Sequence, residues 1–415
     1  MGAYRQVIAV KPFAHLWFGQ ICSQLAVSVM LFVLAIRVYQ MTGSNTAVSG
    51  LFLTYGVPSV LLGMAAGAVV DHLDKRRVLI VCDLLRAGMA LGFMLTPSNL
   101  LYLYLLSTAN SIVTQCYIPS QAPTIPRFIK GPLLVTANGL FSFTFYTSLA
   151  LGSIIAGPLL RWLGPYGTFV VISALFVVAS YQASLLPKQI APPATVRRQL
   201  PTLGHIYLRV RADLQEGVRY ILRSPRLRQA LLLLTGTQIV LMILGTLGPG
   251  FADRMLKVDV HDASLLILGP VVLGIIAGAL WVGWVGTRHA ASSLIEKGVF
   301  GVGVILILIA LTVRLKLMIL PLEFLLFIAL GVANSMLDVP ANSMLQKETD
   351  EHMRGRVYGI LTTAIGGVGI VPVVIGGVLA DAIGIGKVIF FLGVVILLYG
   401  LYYRISGKPI LSALR

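Results

Sequence analysis

Asn334, Asp338 and Asn342 are spaced by four residues within a run of otherwise apolar sequence. On a helix this spacing places the three side chains on one stripe. Two carboxamides and a carboxyl group can hydrogen-bond to a polar ligand, and the carboxyl group can also bind and release a proton. We therefore predict that the stripe lines a cavity, where Asp338 takes part in proton coupling or holds a cationic group. The alternative is that Asp338 only fixes helix packing by pairing with one of the two asparagines.

Polar pairs at helical spacing also occur in other apolar segments. A polar side chain that faces hydrocarbon costs several kcal/mol, about 2–7 kcal/mol without a partner, so we expect these side chains to point inward. Hydrogen bonds between helices are the alternative for each of them, and such bonds contribute only about 0.6–2 kcal/mol. Besides the stripe, the predicted ligand-binding residues are Gln20, Gln24, Asn110, Thr114, Gln115, Gln238 and the aromatic Phe145.

The composition indicates an integral membrane protein. Of the 415 residues, 57% are hydrophobic and 11% are charged, whereas soluble domains have about 25% charged residues. A spanning helix needs about 20 apolar residues, and charged or Gly/Pro-rich breaks delimit twelve such segments. They lie near residues 14–40, 46–70, 77–96, 99–121, 132–160, 166–187, 227–252, 262–286, 293–314, 318–345, 355–381 and 386–404. The predicted fold class is an all-α membrane protein.

The positions of the basic residues predict the topology. Most of the 32 Lys and Arg residues fall in breaks on one side of the twelve segments, which the positive-inside rule assigns to the cytoplasm. We therefore predict a multi-pass protein of the cell inner (plasma) membrane with both termini cytoplasmic. The net charge of +17 then reflects topology and contact with anionic membrane lipids rather than binding of nucleic acid. The first apolar segment, Ala14 to Tyr39, is too long for a cleavable signal and is predicted to span.

The longest polar interruption, Pro187 to Arg228, splits the chain nearly in half. We predict an N-terminal six-helix bundle (1–187), a cytoplasmic linker (188–226) and a C-terminal six-helix bundle (227–415). Within the linker, apolar residues at spacings of three and four predict an amphipathic helix along the inner membrane face, with a regulatory role or none. These residues are Tyr207, Val210, Leu214, Val218 and Ile221.

The two halves also share short sequence repeats. The run G-P-L-L-R-W-L-G at Gly157–Gly164 is echoed by G-V-L-A-D-A-I-G at Gly377–Gly384, an offset of 220 (377 − 157). Such repeats in the same order favour two parallel bundles of like structure.

A charged bend between the second and third predicted helices reads G-A-V-V-D-H-L-D-K-R-R from Gly67 to Arg77. It resembles the loop between helices 2 and 3 of the major facilitator superfamily, G-x-L-a-D-r-x-G-r-r, and its variant D-r-x-D-r-r is similar to the macrolide-efflux and enterobactin-exporter branch. The linker run Asp213–Arg228 and the run Q-K-E-T-D-E-H-M-R-G-R-V from Gln346 resemble the same branch.

The resemblance implies the major facilitator fold, with two pseudo-symmetric six-helix bundles that rock about a central site. It also implies a conformational latch on the cytoplasmic side that joins the two halves. The sequence departs from many proton-coupled exporters of the family, because its fourth predicted helix has no basic residue and its first has no acid. The latch residues that we predict are Gly67, Asp71, Lys75, Arg76, Asp83, Arg86 and Arg356.

These observations favour a secondary active transporter that exports hydrophobic or amphipathic small molecules, drug- or siderophore-like, in exchange for protons. A lipid or lysolipid flippase and a non-transporting membrane receptor or scaffold are the alternatives. We see no nucleophile–base constellation, phosphate-binding loop or metal-ligand spacing, so we expect no enzyme activity, no cofactor and no metal. We expect a monomer whose partners are its substrate, protons and membrane lipids.

Overall fold

The computed structural model describes residues 2–71, 73–95, 99–131, 133–188, 215–285, 291–315, 319–350 and 353–405. Within these ranges the chain is almost entirely helical and contains no β-strand, which confirms the predicted all-α class.

Seven helices lie before the predicted linker, and eight more lie within or after it. The first seven are α1 (Gly2–Ala9), α2 (Lys11–Thr42), α3 (Asn45–Asp71), α4 (Lys75–Gly92), α5 (Leu100–Gln121), α6 (Ile125–Phe128) and α7 (Leu133–Ser184). The others are α8 (215–223), α9 (Pro225–Phe251), α10 (Gly269–Val285), α11 (Ala291–Arg314), α12 (Leu320–Glu348), α13 (Arg354–Thr363), α14 (Ile370–Ile383) and α15 (Ile385–Ile405). Single π-helical turns precede α10 (Ser264–Leu268) and join α13 to α14 (Ala364–Val368).

Side-chain caps fix where several helices begin. Asp74, Asn99 and Ser224 each have extended backbone and accept a hydrogen bond from a backbone N–H in the first turn of α4, α5 and α9. Each cap satisfies a donor that the helix itself leaves unpaired. In α9 the cap is followed by Pro225, which lacks the N–H that would otherwise be unpaired.

Helix α7 contains 52 residues, a length of about 78 Å at 1.5 Å per residue and more than twice the hydrocarbon thickness of a bilayer. Its backbone leaves the helical conformation at Gly164, where φ is 64°, and Pro165 follows. The kink therefore divides α7 into two segments, which match the helices predicted over 132–160 and 166–187.

Nine helical segments in the described part of the chain are long and apolar enough to cross a membrane, with α7 counted once. Helices α4 and α5 are not among them, although they coincide with predicted spanning segments. Membrane-spanning helices are thus confirmed. The count of twelve stays a prediction with which the helix bounds agree.

The chain divides into two compact units. Unit 1 comprises Met1–Arg37 and Leu53–Val210, and unit 2 comprises Val38–Phe52 and Arg211–Arg415. The segment Val38–Phe52, which we call the α2–α3 turn, therefore belongs to unit 2 although α2 and α3 also run through unit 1. The boundary near residue 210 falls inside the predicted linker, and the bounds predicted for the two bundles stay predictions.

Each unit has its own apolar interior. In unit 1, α4 packs against α5 and α7, and Phe13 and Phe141 meet in the core with ring centroids 5.8 Å apart. In unit 2, α12 packs against α9, α10 and α11, while α11 also packs against α15. Helix α8 is the described part of the predicted linker helix and lies in unit 2. Tyr207, Val210 and Leu214 lie outside the described residues.

Helices α10 and α12 approach so closely that glycine is required at their contact. A Cβ atom added to Gly331 would overlap the carbonyl oxygen of Val271, and one added to Gly274 would overlap that of Ile328. We expect Gly331→Val to lower the Tm of the purified protein by about 5 °C or more, because overpacking costs about 1–3 kcal/mol. Gly283→Val, on the open face of α10, is the control. Equal Tm values for the two variants would contradict this packing.

Candidate functional site

Asp338 lies on α12 in unit 2, half-buried and turned toward α9. The Thr237 hydroxyl lies 3.3 Å from Asp338 Oδ1 and 2.9 Å from the carbonyl oxygen of Leu234, so its single proton is shared between these two acceptors, and the Gln238 side chain also lies near the carboxylate. The structure therefore brings together two of the predicted ligand-binding residues, Asp338 and Gln238. In the described part of the chain Asp338 bonds to α9 and not to either asparagine of its own stripe.

The two asparagines on the stripe have different surroundings. Asn342 Oδ1 accepts a hydrogen bond from the Tyr358 hydroxyl at 2.9 Å and from Gln346 Nε2 at 3.3 Å, so it links α12 to α13. Asn334 is 95% buried, and no hydrogen bond to its amide occurs among the described residues. An unpaired buried amide is costly unless a ligand or water satisfies it.

Asn334 lines a half-open cavity of about 250 Å³ whose other lining residues come from α9, α11, α12 and α15. Its walls consist mainly of leucine and valine side chains, such as Leu233 and Val302, and Thr237 also reaches it. Thr237 connects the cavity to Asp338, because its hydroxyl bonds to that carboxylate. An apolar cavity with few polar groups suits an amphipathic molecule better than a sugar or an amino acid.

In unit 1 the predicted residues of α5 pack against α3. Asn110 is fully buried beside the Tyr55 side chain, and Ser111 donates to the Tyr55 carbonyl oxygen at 2.8 Å. Gln115 and Thr114 donate to carbonyl oxygens one turn earlier on α5, at 3.3 Å and 2.8 Å. These contacts are hydrogen bonds within and between helices, which is the alternative foreseen from the sequence. A ligand-binding role for Asn110, Thr114 and Gln115 stays a prediction.

The remaining predicted binding residues lie on α2 and α7. Gln20 is buried, with no hydrogen bond to its Oε1 in the described part of the chain, and Gln24 is half-buried one turn later. Phe145 exposes 45% of its surface on α7. Their roles also stay predictions.

A buried ion pair lies at the centre of unit 1. Asp83 Oδ1 accepts hydrogen bonds from the Ser23 hydroxyl at 2.8 Å and from Arg86 Nη1 at 3.4 Å. The Arg86 guanidinium also lies 4.4 Å from the centre of the Tyr117 ring, in a cation–π contact. Asp83 and Arg86 each expose only 1% of their surface. The sequence identified this pair but not Ser23 or Tyr117, which tie it to α2 and α5.

The described contacts of the other predicted latch residues also lie in unit 1. Lys75 is buried, and Arg76 donates to the carbonyl oxygen of Ser184. The side chains of Asp71 and Arg356 and the surroundings of Gly67 lie outside what the structure describes. The predicted latch between the halves therefore stays a prediction.

The end of α12 and the segment after it are bound by α8 and the first turn of α9. Arg226 Nη1 lies 3.0 Å from Glu348 Oε1, and the Tyr220 hydroxyl on α8 accepts a hydrogen bond from the Asp350 backbone N–H at 3.1 Å. The linker helix is thus tied to the run from Gln346 that resembles the exporter branch.

Sequence reasoning missed Asp381, which accepts several hydrogen bonds from the α2–α3 turn. A signal was present, since Asp381 lies in the last turn of α14, where the helix dipole disfavours a negative charge. A carboxylate there needs a compensating partner from another element.

The order and lengths of these helices, and the polar residues within them, agree with one family of membrane proteins. A sequence profile described as Major Facilitator Superfamily matches residues 16–371. The chain belongs to the Major Facilitator Superfamily. As a member of this superfamily it is a membrane transporter and not an enzyme.

Two relatives of named function align with nearly the whole chain. The multidrug efflux pump Tap of Mycolicibacterium fortuitum is 26% identical over 374 residues, covering 88% of each chain. The enterobactin exporter EntS of Shigella flexneri is 22% identical over 401 residues, covering 93% of this chain and 91% of that one. The resemblance to the exporter branch of the Major Facilitator Superfamily is thereby confirmed.

Solved structures agree on the fold. The peptide transporter POT superposes with a TM-score of 0.74 at 13% identity and covers 99% of both chains. The nucleoside transporter NupG gives a TM-score of 0.73 at 12% identity, covering 96% of this chain and 99% of that one. At such identities the similarity establishes the major facilitator fold alone.

Proposed function

We propose that this transporter exports hydrophobic or amphipathic small molecules, drug- or siderophore-like, in exchange for protons by alternating access. The observation that carries the proposal is the apolar cavity of unit 2, which contains the unpaired amide of Asn334 and reaches Asp338 through Thr237. The relatives named as a multidrug efflux pump and an enterobactin exporter support the direction and the substrate class.

Each part of the cavity has a role in this mechanism. The leucine and valine walls bind the apolar body of the substrate, and the Asn334 amide hydrogen-bonds to its polar group. Asp338 carries the proton, because its carboxyl group can bind and release one and lies 3.3 Å from the Thr237 hydroxyl that reaches the cavity. If proton and substrate bind in competition, binding of one promotes release of the other, and this coupling drives export.

The proposal also specifies the membrane in which the protein lies and its orientation there. The protein resides in the cell inner (plasma) membrane as a monomer, with both termini and α8 on the cytoplasmic side. Arg219 and Arg223 of α8 lie one turn apart beside the exposed apolar Val218 and Leu222. Such a helix suits contact with anionic lipids of the inner leaflet.

Asn334→Leu tests the substrate class, because it keeps the size of the side chain and removes its ability to hydrogen-bond to a substrate. In cells that lack their own drug exporters, the parent protein should lower the accumulation of amphipathic fluorescent dyes. We expect Asn334→Leu to reduce initial export rates about five- to tenfold, as expected for one hydrogen bond lost. Asn138→Leu, on the exposed face of α7, should match the parent.

Equal export of every dye by the Asn334→Leu variant and the parent would contradict the role of the cavity. Transport that instead depends on the headgroup of a fluorescent lysolipid would replace the drug-exporter proposal with the flippase alternative.

A further inference from the structure

The carboxylate of Asp381 accepts five hydrogen bonds from three consecutive residues at the start of α3. Ser44 donates through its hydroxyl at 2.6 Å. Asn45 donates through its backbone N–H at 3.1 Å and its amide at 2.9 Å. Thr46 donates through its backbone N–H at 2.9 Å and its hydroxyl at 2.8 Å. Both oxygens of Asp381 are therefore engaged by the α2–α3 turn, within unit 2.

The charge of Asp381 suits the first turn of α3 and not its own helix. The N-terminus of a helix carries unpaired N–H groups and a partial positive charge, whereas the C-terminus carries a partial negative charge. Asp381 lies in the last turn of α14, so its carboxylate is stabilised by α3. Arg254 adds a positive charge, with Nη1 3.5 Å from Asp381 Oδ1, and donates to the carbonyl oxygen of Gly43.

The same face of α14 packs against the α2–α3 turn along three successive turns. Val373, Gly377 and Asp381 are spaced by four residues. The Ser49 hydroxyl lies 3.2 Å from the Val373 carbonyl oxygen, and a Cβ atom added to Gly377 would overlap Ser49 and the Asn45 carbonyl oxygen. The contact is therefore a fitted surface of which Asp381 is the charged end.

We propose that Asp381, Arg254 and residues 43–46 form a clasp that holds the ends of α2 and α3 and opens in each transport cycle. The inference rests on the proposed alternating access, in which α2 and α3 must exchange their contacts with unit 2. Both helices continue into unit 1, so release of their ends from Asp381 frees them to move. Asp381 is thus a positioning residue for transport. In the proposed topology the clasp faces the outside of the cell.

The test measures whether loss of the Asp381 charge opens the clasp. Val48 in the α2–α3 turn is fully buried, so Val48→Cys reports opening through its reaction with a membrane-impermeant maleimide. We expect Asp381→Asn to raise the labelling rate at this cysteine about tenfold, and Asp350→Asn, in an exposed loop of unit 2, to leave it unchanged. Protein without the reporter gives the blank for Cys22, Cys82 and Cys116. Cells and inside-out vesicles are compared to identify the side from which the reagent reacts.

A second reporter separates opening of the clasp from general loosening. Leu306 is fully buried in α11, which packs against α12 and α15, and labelling of Leu306→Cys should not change in Asp381→Asn. Equal labelling at Val48→Cys in the parent and Asp381→Asn backgrounds would overturn the proposal, and so would an equal increase at both reporters. Labelling needs no substrate, so the two proposals can fail separately. Faster labelling only at Val48→Cys, together with absent dye export by the parent protein, would support the clasp and count against the proposed function.

Discussion

Asp338→Asn is expected to abolish proton-driven accumulation of substrate while substrate exchange continues. Asparagine keeps the shape of the side chain and its contact with Thr237, which lies 3.3 Å from Asp338 Oδ1, but it cannot carry a proton. A transporter without its proton carrier can still move substrate down a gradient in either direction. It has lost only the step that ties this movement to protons, so we expect gradient-driven accumulation to fall at least about tenfold.

The measurement uses purified protein in liposomes and compares two assays. The first follows accumulation of a fluorescent amphipathic dye under an imposed pH gradient, and the second follows exchange of labelled for unlabelled dye without a gradient. Glu296→Gln, which removes an exposed carboxylate 3.8 Å from Arg404, is the control and should match the parent in both. If Asp338→Asn accumulated dye under the gradient at the parental rate, a group other than Asp338 would have to carry the proton.

Arg86→Leu should destabilise unit 1 severely. The substitution removes the partner of Asp83 and leaves a carboxylate that exposes only 1% of its surface with Ser23 as its remaining donor. Loss of one member of a buried ion pair typically costs about 3–5 kcal/mol, because the other charge stays buried. We expect most of this variant to aggregate during extraction, and the remainder to unfold at a clearly lower temperature than the parent.

The double variant Asp83→Asn/Arg86→Leu tests the reason for that loss, since it removes both charges. We expect it to recover part of the lost stability, measured as the midpoint of heat-induced aggregation in detergent. Arg404→Leu, which breaks an exposed pair, should shift the midpoint little, because such pairs contribute about 0–1 kcal/mol. If the double variant were less stable than Arg86→Leu, the cost of burying the unpaired Asp83 charge could not explain the effect.

Helix positions and the polar stripe were accessible from sequence because both depend on local spacing. The bend at Gly164 was predictable from a glycine followed by Pro165 between two apolar runs. Asp338 was found because it is an acid well inside an apolar helix, with asparagines one turn away on either side. Periodicity identifies such a face, and the structure shows that it meets α9 at Thr237.

Contacts between distant segments were not accessible in the same way. The stripe of α5 was expected to face a cavity, yet in unit 1 its Asn110 and Ser111 meet Tyr55 of α3. Helical spacing shows which residues share a face but not which neighbour covers it. Asp381 and the residues that bond to it are more than 330 positions apart in sequence, so only the folded chain reveals their partnership.

Substrate-induced proton movement tests the central claim most directly. Purified protein is reconstituted in liposomes that contain a pH-sensitive dye, and an amphipathic substrate is added on one side without an imposed gradient. If export is coupled to protons, entry of the substrate drives protons out, and the change disappears with Asp338→Asn. Substrate entry at the full rate with no change in internal pH would contradict the proposed exchange.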